Sequence, residues 1–304
     1  MASNKDTKKR GRPLGSTKPD KAILTKNKLG ITKEPSQDNR YIELQFHHPK
    51  LWKHIFDVIK SQKARYTRIV FDKENVTFTS NGRLNRTCSE FKFVGSKMMR
   101  YYCEAPNTIY LDPDNIYNHM KKLNDKYVEV HFFLKRGFQS EKMTILLKNI
   151  SGVCEEVSIS ISTNVPADLA ISPIPEVIPY MMKFDITTDT LKSVIKDYDS
   201  SVSRITFTKA PGKDENIKIS YSFENEVPVS GTWILPKSEH TEEKMDQNTL
   251  LRWEVHLNLI HPILKFQLAK DLVMSCHNTE PAIFSNNYHD HMIMRYMIKT
   301  KNGK

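Results

Sequence analysis

Glycine is scarce in this chain, 10 residues in 304, and no Gly-rich phosphate loop, Gly-x-Ser-x-Gly or His-Glu-x-x-His pattern occurs in it. Those absences exclude a motif-borne phosphate cradle, a nucleophile elbow and a helix-borne hydrolytic zinc site. The four cysteines, Cys88, Cys103, Cys154 and Cys276, are scattered without paired spacing. They read as reduced thiols of an intracellular protein, not as a disulfide frame or a Cys-rich metal site. No apolar run approaches the ~20 residues that a membrane-spanning helix requires. The start of the chain is charged from Lys5 onward and lacks the apolar stretch of a secretory signal. Asn-x-Ser/Thr triplets such as Asn75-Val76-Thr77 therefore carry no glycosylation meaning. His289-Asp290-His291 falls in a predicted hairpin turn with no third ligand at useful spacing, and His47-His48 precedes a predicted helix; both read as solvated histidines. The carboxylates of Glu239–Glu243 gather in one charged loop instead of forming a separated acid/base pair. No enzyme activity, cofactor or metal is expected.

What is present is a folded composition, 38% hydrophobic and 10% aromatic, with a net charge of +11 that is unevenly spread. Residues 1–40 hold 11 Lys/Arg against 4 Asp/Glu, so +7 sits there and +4 remains for the other 264 residues. The segment is rich in Lys, Pro, Ser, Thr and Gly without periodicity, which predicts a disordered basic tail and a polyanionic partner.

From Tyr41 the chain repeats one unit four times. The pattern predicts a strand at Tyr41–Phe46, an amphipathic helix at Pro49–Gln62, and strands at Arg65–Asp72, Asn75–Asn81 and Ser89–Gly95. The second pass has a strand at Thr108–Asp112, a helix from Pro113 to about Asn124 capped by Asp112, and strands at Tyr127–Lys135, Met143–Asn149 and Glu155–Thr163. The third has a strand at Tyr180–Ile186, a helix at Thr188–Ser200 and strands at Arg204–Ala210, Ile217–Glu224 and Val227–Pro236. The fourth has a strand at Arg252–Asn258, a helix near Ile260–Lys270 and strands at Asp271–His277, Ala282–Tyr288 and His291–Thr300. A period of roughly 64 to 75 residues is too long for a solenoid and suits a half-domain. The chain thus divides into a tail (1–40), a first domain (41–163), a Pro-rich connector (164–179) and a second domain (180–304).

The predicted helices carry Lys50, Lys53, Lys60, Lys121, Lys122, Lys192, Lys196, Lys265 and Lys270 against five acids, Asp57, Asp114, Asp189, Asp197 and Asp199. The difference, +4, equals the whole surplus of the body. Lysine also solvates ordinary exposed helix faces, but its concentration on four helices of one topology favours a shared surface facing a polyanion. Such a surface attracts phosphates without reading bases, since it lacks the Arg/Asn/Gln clusters of direct readout.

This order of elements resembles the sliding clamps of the proliferating-cell-nuclear-antigen type over about residues 41–301. Local matches are Leu169-Ala170-Ile171 followed by Pro175-Glu176, the segment Thr279-Glu280-Pro281-Ala282-Ile283, and a last strand with His291, Tyr296 and Ile298. The resemblance implies an α+β DNA clamp fold: two similar clamp domains, each of two strand-helix-three-strand units, with helices on the inner face and sheets outside. It implies a homotrimeric ring around double-stranded DNA, closed by pairing of Glu155–Thr163 with about Val227–Pro236 of a neighbouring copy. It assigns Leu169, Ile171, Pro281, Tyr296 and Ile298 to a hydrophobic pocket that receives short peptide motifs of DNA polymerase and other replication or repair enzymes. Ile174 and Val177 compete with Ile171 because an insertion blurs the register, and Tyr296 reads equally well as ordinary core.

The basic tail and the longer charged loop Ser238–Leu251 depart from cellular clamps. A tail joined to a clamp body is similar to the clamp-like proteins of asfarviruses, which implies a host nucleus or a cytoplasmic viral replication factory. Within the tail, Lys9-Arg10-Gly11-Arg12-Pro13 resembles an AT-hook, in which Arg10, Gly11, Arg12 and Pro13 enter the minor groove of A·T-rich DNA. A localisation signal or nonspecific basic arm fits the same residues. The expected function is a polymerase processivity factor; the alternative is a monomeric or dimeric clamp-fold factor that binds DNA directly.

Overall fold

The computed structural model describes residues 30–299 except 83–84, 138–140, 165–170, 172, 197–203, 213–215, 223–229, 236–240, 245–247 and 269, with backbone alone at 196, 221–222 and 230–231. The four predicted units appear in order. The first is β1 (Arg40–Phe46), α1 (Pro49–Ser61), β2 (Thr67–Phe71), β3 (Asn75–Asn81) and β4 (Thr87–Val94). An additional strand, β5 (Arg100–Cys103), precedes the second unit: β6 (Asn107–Leu111), α2 (Pro113–Met120), β7 (Tyr127–Lys135), β8 (Lys142–Asn149) and β9 (Cys154–Ser160). The third is β10 (Met182–Thr187), α3 (Thr188–Lys196), β11 (Arg204–Lys209), β12 (Ile217–Ser222) and β13 (Ser230–Leu235), followed by the two-residue β14 (Glu242–Glu243). The fourth is β15 (Leu251–His256), α4 (Leu257–Ile260) with a 3-10 turn at Ile263–Lys265, β16 (Asp271–Cys276), β17 (Ala282–Tyr288) and β18 (Met292–Ile298).

The sheets show how the units combine. Within each half the two units exchange their first strands. β6 joins β2 of the first unit, while β1 joins β7 of the second. In the same way β10 pairs with β16, and β15 pairs with β11. The outcome is a central nine-stranded sheet, β14-β10-β16-β17-β18-β4-β3-β2-β6, flanked by β5-β1-β7-β8-β9 and β13-β12-β11-β15. The central sheet fuses the halves through seven antiparallel partners, from Met292 opposite Phe93 to Ile298 opposite Thr87.

Local chemistry accounts for the elements. α1 carries Leu51, Trp52, Ile55, Phe56, Val58 and Ile59 at helical spacing, all buried, behind a proline at its first position. Trp52 sits among Phe46, Phe78, Phe93 and Phe132 at ring-centroid distances of 4.6–5.1 Å. α2 begins as its sequence predicts, Asp112 accepting the Asp114 amide at 2.8 Å ahead of Pro113.

Several expectations are corrected. α2 ends at Met120, because Leu123 turns inward onto the core and Asn124 accepts the Lys126 amide in a turn. α4 stops at Ile260, since Pro262 cannot continue a helix through its missing N–H, and only a 3-10 turn follows. The loop around Glu239–Glu243 is not wholly irregular: Glu242 and Glu243 pair with β10, and Glu243 meets the buried Lys209 ammonium at 3.3 Å.

The disordered tail predicted over 1–40 does not extend to residues 30–40, which are fastened to the body. The Gly30 amide donates to Met98 O at 2.9 Å, the Tyr101 amide to Gly30 O, and the Thr32 amide to Tyr101 O. Glu43, 0% exposed on β1, accepts from Arg40 at 2.9 Å, Arg100 at 2.8 Å and the Ser36 amide at 2.9 Å. Burial pushes the Glu43 carboxyl up, but the bonds from Ser36, Arg40 and Arg100 outweigh it and hold it below the usual range.

Candidate nucleic-acid interface

The helical segments form a continuous series of contacts, in the order α2, α1, the 3-10 turn after α4, and α3. α1 packs against α2 and against the 3-10 turn at Ile263–Lys265, which in turn packs against α3. Side chains stitch the row. Lys60 Nζ is 2.5 Å from Asp114 on α2, and His54 Nδ1 on α1 is 3.2 Å from the Lys265 carbonyl. From the sheet beneath, the buried Tyr296 hydroxyl donates to Leu259 O at 2.7 Å, and burial raises its pKa.

The predicted lysines distribute unevenly over these segments. Lys50 and Lys60 are exposed on α1, and Lys53 is half-exposed. Lys121 and Lys122 follow the end of α2, Lys121 donating to Asn118 at 3.2 Å. Lys192 is on α3; Lys196 closes that helix, and its side chain lies outside the described residues. Lys265 is exposed on the 3-10 turn, and Lys270 is exposed in the turn before β16, off the helix predicted to carry it. Four of these ammonium groups already face carboxylates: Lys50 on Asp125 at 2.5 Å, Lys60 on Asp114, Lys122 on Glu155, and Lys192 on Asp189 at 3.3 Å. Exposed pairs of this kind contribute about 0–1 kcal/mol each, so a phosphate can compete for them. Arg10, Gly11, Arg12 and Pro13 lie outside the described residues.

The pocket assignment changes on the structure. Tyr296 and Ile298 are 0% and 1% exposed; the Tyr296 hydroxyl reaches Leu259 O of α4, and Ile298 borders a depression beside Arg86 and Lys299, so neither lies under the connector. Successive strand residues alternate faces, and the opposite face of β18 presents Met297. There Met297, Cys88 on β4 and Ile283 on β17 form a small apolar cluster, filled from above by Ile174 of the connector with Ile178 against it. Ile171 is buried too, its carbonyl accepting from Arg68 at 3.2 Å; Pro281 is half-buried ahead of β17, and Leu169 is outside the described residues. Val177 is 86% exposed.

The connector is latched as well as packed. Arg295 Nη1 donates to Ile174 O at 3.2 Å, its Nη2 donates to Pro175 O, and it faces Glu90 at 3.5 Å. Glu90 in turn accepts the Ile174 amide at 3.3 Å. These partners were invisible in the sequence because nothing local links residue 90 to 295; their spacing along β4 and β18 becomes meaningful only once the strands pair. The thiol of Cys88 is pushed up to about 12 by burial and then by Glu90, which leaves it an inert packing group.

Histidines converge at the N-terminal end of α1. His48 and His291 rings lie 5.9 Å apart, and the His48 pKa is lowered by burial and then by His291, His47 and His289. Among the described residues no three His, Cys, Asp or Glu side chains are placed to hold a metal ion.

Compared with solved structures, the chain matches the proliferating cellular nuclear antigen of Entamoeba histolytica with a TM-score of 0.69 at 12% identity, over 86% of this chain and 99% of that one. The fold is therefore a clamp fold of that type. No family model matches the sequence, and no curated protein matches it.

Proposed function

We propose that this chain is a DNA sliding clamp, a processivity factor that closes as a homotrimer around duplex DNA and tethers replication and repair enzymes. The observation that carries the reading is the clamp fold, matched over 86% of the chain, and the contiguous lysine-bearing segments α2, α1, the 3-10 turn and α3 support it. Lysines on such segments hold phosphates diffusely and without sequence preference, which permits sliding. Strands β9 and β13 stand at sheet edges, so β9 of one copy can pair with β13 of the next; a heterologous contact of this kind closes into a ring. Partner enzymes dock by short peptide motifs at the connector, beside the Cys88, Ile174, Ile283 and Met297 cluster and the exposed Val177. The cations that precede Gly30 in the sequence add to DNA binding in this reading. Scaffolding of this kind uses no chemistry of its own. Tail plus clamp body is the combination that points to a viral replication factor.

Sedimentation at physiological salt tests the assembly. A species of three times 35.4 kDa supports the ring. A monomer or dimer that still binds DNA favours the alternative, a clamp-fold factor that holds DNA directly.

A further inference from the structure

A cleft of about 810 Å³ opens where the two halves meet, between the C-terminal end of α1 and the α4 segment. Lys60, Lys63, Arg86, His256 and His261 line it together with the apolar Leu257 and Leu259, and among the described residues no carboxylate does. A second depression shares Arg86, His256 and Leu259 and adds Arg204, Arg252 and Lys299, with Glu254 its one acid. Glu254 is engaged by Arg204 at 2.9 Å and Arg252 at 4.0 Å. Lys63, Arg86 and Lys299 face no carboxylate within ion-pair distance among the described residues, unlike Lys50, Lys60, Lys122 and Lys192 on the helical segments. Lys63, Arg86 and Lys299 thus give the cleft and the depression beside it three cations without a carboxylate partner among the described residues.

Lys63 has a second peculiarity. It follows the end of α1 with φ of 55°, a left-handed conformation that favours glycine at the residue after a helix cap. The lining suits a nucleic-acid strand. Burial, and then Lys265, lower the His261 pKa, which favours a neutral ring suited to stacking. A positively charged groove with flat rings between the charges is the chemistry that single strands use, phosphates on the cations and bases on the rings.

We infer that this cleft, at the C-terminal end of α1, binds a single-stranded segment of nucleic acid by its phosphodiester backbone. The inference rests on the clamp reading for its class of ligand. It places a strand that leaves the duplex along the junction of the two halves, from Lys60 and Lys63 past Arg86 toward Lys299.

The test is fluorescence anisotropy of the full chain with an oligothymidylate of about 12 nucleotides, too short for topological retention, with an oligouridylate of equal length as the RNA arm. The double variant Lys63→Gly/Arg86→Ala is expected to weaken binding by roughly tenfold and to reduce the salt slope by about 1.4, at about 0.7 for each phosphate no longer neutralised. Its Tm is expected to be unchanged or higher, because glycine relieves the left-handed position. Lys142→Ala/Lys148→Ala, at exposed positions of β8, is expected to stay within about twofold of the parent. Parent-like affinity in Lys63→Gly/Arg86→Ala overturns the site, and so does equal affinity for inorganic polyphosphate, which has charge but no bases. If the site fails while the protein is still retained on closed circular DNA, only this inference falls. If retention fails while oligonucleotide binding depends on the cleft, the clamp reading falls alone.

Discussion

Replacing His131 by glutamine should flatten the acid side of the stability curve. His131 lies on β7 opposite Gln45 of β1, 8% exposed, with its Nε2 unpartnered. Burial depresses its pKa to about 4; Glu43 opposes that shift, while Arg40 and Arg100 add to it. The unfolded chain restores a value of about 6.5. At pH 7 both states are mostly neutral and the residue is nearly silent. As pH falls below 6.5 the unfolded state takes up a proton that the folded state refuses, so stability is lost until about pH 4. With those two values the loss between pH 7 and pH 5 is about 2 kcal/mol. Urea unfolding at the two pH values measures it, and the imidazole resonance followed by NMR gives the folded pKa directly. The His131→Gln variant should lose about 2 kcal/mol less than the parent over this interval. Equal losses in the two proteins, or a His131 resonance that titrates near 6.5, would refute the reasoning.

Other perturbations follow from the same packing and pairing. Trp52→Ala removes the centre of the aromatic cluster and should cost about 3–5 kcal/mol, read as a lower urea midpoint. Glu43→Ala strands the buried Arg40 guanidinium and should cost about 3 kcal/mol, with faster proteolysis of the chain around Ser36 as the local readout. Arg295→Ala leaves Glu90 without its cation and releases the Ile174 and Pro175 carbonyls; hydrogen exchange around residues 173–178 should accelerate while β1 and β7 stay protected. Lys192→Ala should reduce the salt slope of duplex binding by about 0.9 if that ammonium trades Asp189 for a phosphate, and leave it unchanged if it does not.

The order of elements was legible because the apolar pattern restarts four times, and a strand-helix-three-strand unit restarts with it. The exchange of first strands between units was not, since nothing within Tyr41–Phe46 says that its partner is β7 and not β2. Proline placed two boundaries well: Pro49 and Pro113 open helices. Pro262 acts differently: the helix expected near Ile260–Lys270 lies at Leu257–Ile260, ahead of the proline, and only a 3-10 turn follows it. The buried Glu43 was the missed sign that residues before 40 are fastened down, because a carboxylate on an otherwise apolar strand face needs cations from elsewhere. The residues assigned to the pocket divide between the two faces of β18. Tyr296 and Ile298 stand on the core face of β18 and Met297 on the other, and a period of two turns a one-residue slip into the wrong side of the sheet. The cleft residues Lys63, Arg86, His256 and Lys299 come from four separate places in the chain, so no local motif could announce them.

Topological binding to DNA is the claim on which the account stands, and retention on closed circular plasmid measures it. The protein, loaded on a circle and washed at salt high enough to screen phosphate contacts, should remain bound and should be released when the circle is cut once. Release from the intact circle at that salt, or equal retention before and after cutting, would contradict a ring around the duplex.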